Sequence, residues 1–217
     1  PAGKTLRVLH LGDFHVERWT AREDRLIERA RELSPDLILF SGDLLNISYT
    51  HDPTAQELAA RLLNALHAPL GVFAVSGSPA VDVPDVARAI YAETPHVRWL
   101  QNEVVVLEEY NLAILGVHCT QNPNTDGPAL AEVNAGLTGD PFRLLLYHTP
   151  DLAPDAAAQG MDLQLSGHTH GGQVRLPIIG ALFAGSIYGK RFEMGRYRVG
   201  EMTLYVTRGI GMEGLGI

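Results

Sequence analysis

The chain has 217 residues, of which 46% are hydrophobic and 19% charged, as in an ordinary globular protein large enough for a substantial core. Its formal net charge of −8 argues against a broad surface for nucleic acid or anionic lipid, although a small positive site is compatible with it. One cysteine, Cys119, excludes an internal disulfide and a cysteine-based zinc cluster, and no apolar stretch reaches the roughly 18–20 residues of a membrane span.

The first half of the chain alternates short apolar runs with amphipathic segments. We predict strands over 6–11, 36–41 and 70–76. Between and after them we predict helices over 20–34, 52–67 and 83–91. Thr20 and Glu23 have the spacing of a capping box, and Asp52 before Pro53 is typical of a helix start. This alternation indicates βαβ units and a mostly parallel sheet.

The second half of the chain begins with a hairpin pattern. Two apolar runs within 103–117 flank a short polar turn, and a second hairpin is predicted at 196–206. Between the hairpins we predict helices over 127–137 and 150–160 and strands over 142–148 and 161–168. We expect one domain over residues 1–217, an α/β sandwich of two sheets packed face to face with helices outside. The start at Pro1, without methionine, is compatible with a domain excised from a longer chain.

Several predicted strands end in a residue that can bind a metal ion. A single histidine after a strand is ordinarily a surface or core residue, and "GD" is often only a turn signal. Neither interpretation accounts for six such residues that all follow predicted strands. Because the carboxyl ends of parallel strands lie at one edge of a sheet, these six side chains are expected to lie close together. The six residues are Asp13, His15, Asp43, His148, His168 and His170.

This set of side chains favours a two-metal site. Carboxylate and imidazole ligands without a thiolate suit manganese, iron or zinc, and argue against calcium and copper(I). Six ligands are too many for one tetrahedral zinc ion but suit two divalent ions bridged by a carboxylate. Such a pocket is locally positive on an acidic protein and therefore attracts phosphate.

The motifs "GDFH", "GD", "YH" and "GHTHGGQ", in this order, resemble the calcineurin-like metallophosphoesterase superfamily. "GHTHGGQ" and the late "LYVTRGIG" are similar to the bacterial branch with membrane-associated phosphoesterases and UDP-diacylglucosamine pyrophosphatases. The resemblance extends from residue 6 to about 212 and implies a four-layer αββα sandwich of two mixed sheets. It also implies that Asp13, His15 and His170 hold one ion, that His148 and His168 hold the other, and that Asp43 bridges them. Asp43, His148 and His168 would then hold the nucleophilic hydroxide.

The third motif of that superfamily is altered in this chain. The family has "GNH" followed by an acidic residue, whereas this chain reads "VSGSPAVD". Ser78 stands in place of the metal-binding asparagine, and its hydroxyl is a weaker ligand than an amide carbonyl. Pro79 replaces the histidine beside the leaving group and has no donor, and Ala80 replaces the acid. We therefore expect a slower hydrolase, or one restricted to good leaving groups such as the phosphate of a diphosphate.

Other side chains are candidates for the missing roles. We hypothesise that His51 or His118 replaces the lost acid and that Asp82 supplies an oxygen ligand. Arg175, Arg191 and Arg208, in the glycine-rich C-terminal loops, are candidates for binding phosphate; a solvated surface charge is an equally good interpretation of each.

The favoured function is a metal-dependent hydrolase of phosphoesters or diphosphates that uses two divalent ions (Mn, Fe or Zn). The alternatives are a catalytically degenerate member that binds phosphate or a nucleotide, and a protein with a structural metal. We expect a small-molecule or lipid-linked phosphate as substrate and no nucleic acid. The lipid-linked case, with membrane association through residues outside this chain, depends on the family resemblance alone.

Overall fold

A computed structural model describes residues 5–172, 175–176, 180–181 and 185–212. The strands are β1 Val8–Leu11, β2 Leu37–Phe40, β3 Val72–Ala74, β4 Val97–Trp99, β5 Glu103–Leu107, β6 Leu112–Gly116, β7 Phe142–Leu146, β8 Leu163–Ser166, β9 Arg175–Leu176, β10 Gly180–Ala181, β11 Gly195–Val199 and β12 Met202–Val206. The α-helices are α1 Ala21–Leu33, α2 Pro53–Asn64, α3 Pro84–Ala92, α4 Pro123–Ala135 and α5 Ala153–Ala158.

Two main sheets are built from separate halves of the chain. The first sheet has the order β1-β2-β3-β4, and each adjacent pair is parallel. The second has the order β11-β12-β8-β7-β6-β5, in which β12, β8, β7 and β6 are parallel and the edge strands β11 and β5 are antiparallel. β9 and β10 form a separate antiparallel pair. Of the two main sheets, therefore, only the second is mixed.

The side chains of β2 show why the fold has four layers. Leu37 and Leu39 point into an apolar cluster shared with Ile114 and Leu146 of the second sheet. Ile38 and Phe40 alternate with them and join a different cluster, which contains the buried faces of α1, α2 and α3. Alternate residues of a strand face opposite sides of its sheet, so a fully apolar strand packs on both sides.

The second sheet is covered in the same way. Ala113 and Leu115 of β6 join a third cluster that includes Leu130 of α4 and Ala156 of α5. The layers therefore run helices, sheet, sheet, helices, which confirms the predicted αββα sandwich. No helix in the described ranges is long and apolar enough to cross a membrane.

The predicted helix starts are confirmed in atomic detail. Glu23 Oε2 accepts from the backbone N–H of Thr20 at 2.7 Å, and the Thr20 side chain in turn caps the first turn of α1. Asp52 Oδ1 accepts from the N–H of Thr54 at 2.8 Å, and Pro53 is the first residue of α2. These contacts satisfy backbone donors that have no partner within the helix.

Several element boundaries differ from the sequence prediction. β4 was not predicted, because three residues of which only Val97 is buried give no readable alternation. α4 begins at Pro123, four residues before its predicted start, with Asn122 as its N-cap. β7 and β8 end two residues earlier than predicted, so His148 and His168 lie in the loops that follow them.

Packing between the sheets should dominate stability. Leu39 is fully buried between them, whereas Leu33, at the end of α1, is 48% exposed. We predict that Leu39→Ala lowers the free energy of unfolding by about 2–5 kcal/mol, because it leaves a cavity in a rigid interface. Urea denaturation followed by circular dichroism measures this loss. Leu33→Ala is the matched control and should cost less than about 1 kcal/mol; equal losses for the two variants would contradict this assignment of the core.

Candidate metal centre

The loops after β1, β2, β7 and β8 meet at one edge of the sandwich. Pairing of the first two strands continues beyond their ends, since Asp13 N–H donates to the Gly42 carbonyl at 2.8 Å. The two sheets are joined there by the N–H of His168, which donates to Asp13 Oδ1 at 2.9 Å. They are joined again where His148 Nδ1 lies 2.8 Å from the Ser41 carbonyl.

The structure brings the six sequence-predicted residues together in two groups. Asp13, His15 and His170 form the first group, and Asp43, His148 and His168 form the second. In each group, one potential ligand atom per residue lies within 4.8 Å of the others. Asp43 lies between the groups, because its Oδ2 is 3.3 Å from His148 Nε2 and 3.7 Å from His15 Nε2.

Backbone carbonyls orient three of the four imidazoles. The carbonyl oxygens of Ser41, Leu45 and Gly185 lie 2.8, 3.2 and 2.8 Å from one ring nitrogen of His148, His15 and His168, respectively. Because a carbonyl only accepts, that nitrogen carries the proton in the neutral ring, and the other nitrogen presents its lone pair to the cluster. Metal-binding histidines are held in this way.

The backbone at five of the six residues is left-handed. Asp13, His15, Asp43, His168 and His170 have φ values of 52°, 43°, 60°, 72° and 50°. Such conformations cost on the order of 1–3 kcal/mol each and persist only when the surrounding structure imposes them. Five of the nine non-glycine residues with positive φ in the described chain belong to this cluster, which favours a functional role for it.

The late "RGIG" segment covers Asp13. The N–H groups of Ile210 and Gly211 donate to the Asp13 carbonyl at 3.2 and 2.7 Å. Gly209 has φ +75°, and a Cβ there would lie 2.7 Å from Asp13 Cβ. Only glycine therefore allows this loop to approach Asp13 so closely. The sequence identified the segment by resemblance alone and gave no sign of this contact.

The Asp13 carboxyl is suited to a cation. Its side chain is completely buried, and its Oδ2 has no hydrogen-bond partner among the described residues. Burial raises the pKa of Asp13 to about 6, since removing a carboxylate from water disfavours its charged form. A buried oxygen without a partner, beside imidazole nitrogens and without a thiolate, fits manganese, iron or zinc.

The pair formed by Asp43 and His148 also favours positive charge. Although burial alone would raise the pKa of Asp43, His148 and the N–H of Ser78 hold it well below its usual range. Burial alone would lower the pKa of His148, yet the Asp43 carboxylate raises it to about 9. In the metal-free protein these two side chains thus form a buried ion pair, and a cation bound at this group would displace the imidazole proton of His148.

Ser78 lies within the second group of residues. Its Oγ is 3.0 Å from His148 Nε2 and 3.3 Å from His168 Nδ1, and its backbone N–H donates to Asp43 Oδ1 at 2.6 Å. Pro79, the next residue, is exposed and offers no donor. The Ser78 hydroxyl therefore lies where a weak metal ligand could act, whereas Pro79 has no group that could bind a metal ion or donate a proton.

Asp82 has a different role from the one expected. It is buried, and its two carboxyl oxygens accept from the N–H groups of Gly77, Asp43 and Leu44 at 2.6, 3.0 and 2.9 Å. The expectation that Asp82 supplies a ligand oxygen is not met, because both oxygens already hold backbone donors. Asp82 instead ties the loop after β3 to the loop after β2. An acid two positions beyond Ala80 was the only sequence signal for this role.

The other candidates lie outside the two groups. His51 is exposed, and His118, half-buried after β6, has its backbone N–H bonded to Asn102. Arg208 is exposed and runs alongside Gly171: a Cβ on that glycine would lie 3.6 Å from the arginine Cγ and Nε. Arg191 is exposed and lies beside Phe192. The side chain of Arg175 lies outside the described part of the chain.

This fold and site define a family. Residues 6–172 match the model of the calcineurin-like phosphoesterases, and the chain therefore belongs to the calcineurin-like phosphoesterase family. The resemblance noted in the motifs is thus confirmed over most of the chain.

Individual relatives agree with this assignment. The chain is 31% identical to the uncharacterized metallophosphoesterase YkuE of Bacillus subtilis, over 95% of this chain and 72% of the relative. It is 29% identical to the phosphodiesterase YaeI of Escherichia coli, over 94% and 75% of the two chains. It is 25% identical to the UDP-2,3-diacylglucosamine pyrophosphatase LpxG of Chlamydia trachomatis, over 95% and 78%. Among solved structures, TT1561 of Thermus thermophilus has the same fold, with a TM-score of 0.63 at 13% identity over 95% of this chain and 91% of that one.

The contacts of Asp82 give a testable prediction. Asp82→Asn keeps the shape but presents an NH₂ group to backbone N–H donors, so we expect a loss of about 1–3 kcal/mol in unfolding free energy. Thermal denaturation of the metal-free protein measures it. The control is Asp85→Asn, because Asp85 is 91% exposed and its ion pair with Arg88 lies on the surface; it should change stability little. A loss of stability no larger than that of the control would show that the hydrogen bonds of the Asp82 carboxyl do not stabilise the fold.

Proposed function

We propose that this protein is a metal-dependent hydrolase of phosphoesters or diphosphates with a two-ion centre. The observation that carries the proposal is the pair of adjacent oxygen–nitrogen groups, in which Asp43 Oδ2 of the second lies 3.7 Å from His15 Nε2 of the first. The unpartnered buried oxygen of Asp13 belongs to the first group. Asp13, His15 and His170 would hold one ion and His148 and His168 the other, with Asp43 between them. The donor set suits manganese, iron or zinc.

Two such cations would supply a water of lowered pKa as nucleophile and neutralise charge on the phosphoryl oxygens. The chain's own contribution is to fix the ligands. Asp43, His148 and His168 are held by backbone contacts, so these groups need little rearrangement on binding. Arg208, exposed beside the His170–Gly171 turn, would contact a phosphate from the solvent side.

The substrate class follows from what the loop after β3 lacks. Pro79 cannot protonate a leaving group, and a positioned general acid is worth about 10²–10⁴-fold in rate. Activity should therefore be reduced, and it should favour leaving groups that need little protonation, such as a phosphate or a phenolate. A diphosphate or an activated diester fits better than an alkyl monoester.

A lipid-linked diphosphate is one member of this substrate class. The relative LpxG is a UDP-2,3-diacylglucosamine pyrophosphatase, and this likeness supports a lipid-linked substrate here. Association with a membrane through residues outside this chain would accompany it.

A second candidate function is the binding of phosphate or a nucleotide without turnover. It is favoured by Ser78 and Pro79, which lack the amide and imidazole of the family motif. Retention of all six predicted ligands argues for the hydrolase instead, since a binding site alone would not need two complete groups.

The first test is metal content and turnover. We predict that the protein binds two equivalents of manganese and hydrolyses bis-p-nitrophenyl phosphate. Asp43→Ala should lower kcat by more than about 100-fold, the largest effect expected from losing a group that only orients a metal ligand. Metal analysis and release of p-nitrophenolate are the measurements.

Asp140→Ala is the matched control, because Asp140 is 99% exposed and precedes β7, whereas His148 follows the opposite end of that strand. It should retain full activity. Two bound ions with no turnover above Asp43→Ala would favour the binding function, and no bound metal would refute both proposals.

The altered loop can be restored by mutation. We predict that Ser78→Asn combined with Pro79→His raises kcat/KM by at least about 100-fold, because it returns an amide ligand and a general acid. Ala80→Asn, in the same exposed part of the loop, is the control and should have no effect. An unchanged rate in the double variant would mean that the natural loop does not limit catalysis.

A further inference from the structure

Gln121 reaches the candidate metal centre from a loop that the family motifs do not include. It lies between β6 and α4, and its Nε2 is 3.3 Å from Ser78 Oγ. Ser78 Oγ in turn lies 3.0 Å from His148 Nε2. A side-chain amide is thus placed at the edge of the second group of residues, on an exposed residue.

The backbone of Gln121 supports a role at the site. Its φ is +60°, in the left-handed region that glutamine has no intrinsic reason to adopt. The other non-glycine residues of the described chain with positive φ are accounted for: five are the predicted ligands, Ser34 and Asn111 cap helices, and Asn102 accepts from the His118 N–H. Gln121 is the remaining residue of this set, and its side chain contacts Ser78 of the candidate centre.

The hydrogen bonds of Ser78 leave a donor on Gln121 for a ligand. Ser78 Oγ donates to Asp43 Oδ2 at 3.3 Å, so it accepts from the glutamine amide. That amide has two N–H donors, and the contact with Ser78 uses one of them. The second is a neutral donor at the edge of the centre, where a non-bridging phosphoryl oxygen would carry negative charge.

We propose that Gln121 is a substrate-binding residue: its side-chain amide, positioned by Ser78, donates to a phosphoryl oxygen and supplies the neutral side-chain donor that Pro79 and Ala80 lack. The inference rests on the proposed function, since it requires a phosphoryl group at the centre. It assigns to the β6–α4 loop a contact that the altered third motif does not make.

The test compares two glutamines in matched settings. Gln101 is also exposed, and its Nε2 donates to the hydroxyl of Ser76 at 3.2 Å, two residues before Ser78. Gln121→Ala and Gln101→Ala therefore remove the same side chain and the same kind of hydrogen bond, but only the first lies beside the predicted ligands. Gln121→Gly is a second truncation that avoids the strain of a positive φ.

Calorimetric titration of the manganese-loaded proteins with inorganic phosphate gives Kd, and bis-p-nitrophenyl phosphate gives kcat/KM. We expect both Gln121 variants to weaken phosphate binding about tenfold and to lower kcat/KM about tenfold, while Gln101→Ala stays within about twofold of wild type. Gln121→Glu should be worse than Gln121→Ala, because it replaces the donor with a negative charge. Unfolding midpoints equal to that of the wild type would show that the losses of phosphate affinity and of kcat/KM do not come from a less stable fold.

The outcomes separate the two proposals. Phosphate affinity that falls only in the Gln121 variants, with no turnover in any protein, would refute the hydrolase and retain Gln121 as a binding residue. Measurable turnover with equal Kd and kcat/KM for Gln121→Ala and Gln101→Ala would refute the inference and leave the hydrolase intact. Neither phosphate binding nor turnover in the wild type would overturn both.

Discussion

The candidate site depends on a single buried carboxyl that connects the two sheets. Asp13 follows β1 of the first sheet, yet its Oδ1 accepts the N–H of His168 from the second. Its main-chain carbonyl accepts from Ile210 and Gly211, beyond the last strand. Burial of the Asp13 carboxylate is costly by itself. These hydrogen bonds, together with a cation bound at the unpartnered Oδ2, would offset that cost. The edge at which the sheets meet is thereby fixed in one arrangement.

A second set of contacts prepares the residues around Asp13. Ser41, Leu45 and Gly185 orient three imidazoles through their carbonyls, and Asp82 holds the backbone of the Asp43 turn. Left-handed backbone at the predicted ligands lowers stability, and the apolar layers between and outside the sheets compensate for it. The stability that the apolar core provides therefore allows the strained backbone at the candidate site to persist.

Much of this architecture could be predicted from local patterns. The α1 and α2 starts were readable because capping depends on residues three apart, as in Thr20 and Glu23. Convergence of Asp13, Asp43 and His148 was readable because parallel strands direct their carboxyl ends to one edge. Their assignment as metal ligands stays a proposal.

Features set by tertiary contact could not be predicted in this way. The contacts of Asp82, offered only as a hypothetical oxygen ligand, were not predicted, because nothing in the sequence shows that three backbone N–H groups meet its carboxyl. Gln121 gave no signal, since its approach to Ser78 joins loops 43 positions apart. β4 is too short to show a period, and Gly209 is informative only once Asp13 is known to lie beneath it.

The division of the sheets between the two halves of the chain has a further consequence. The first sheet ends at Trp99 and the second begins at Glu103. Each candidate ion would need groups from both halves: the amino-terminal half supplies both aspartates and His15, and the carboxyl-terminal half supplies the three remaining imidazoles. Neither half alone has a complete ligand set, so a fragment that ended between Trp99 and Glu103 would lack the residues of the candidate centre that the other half supplies.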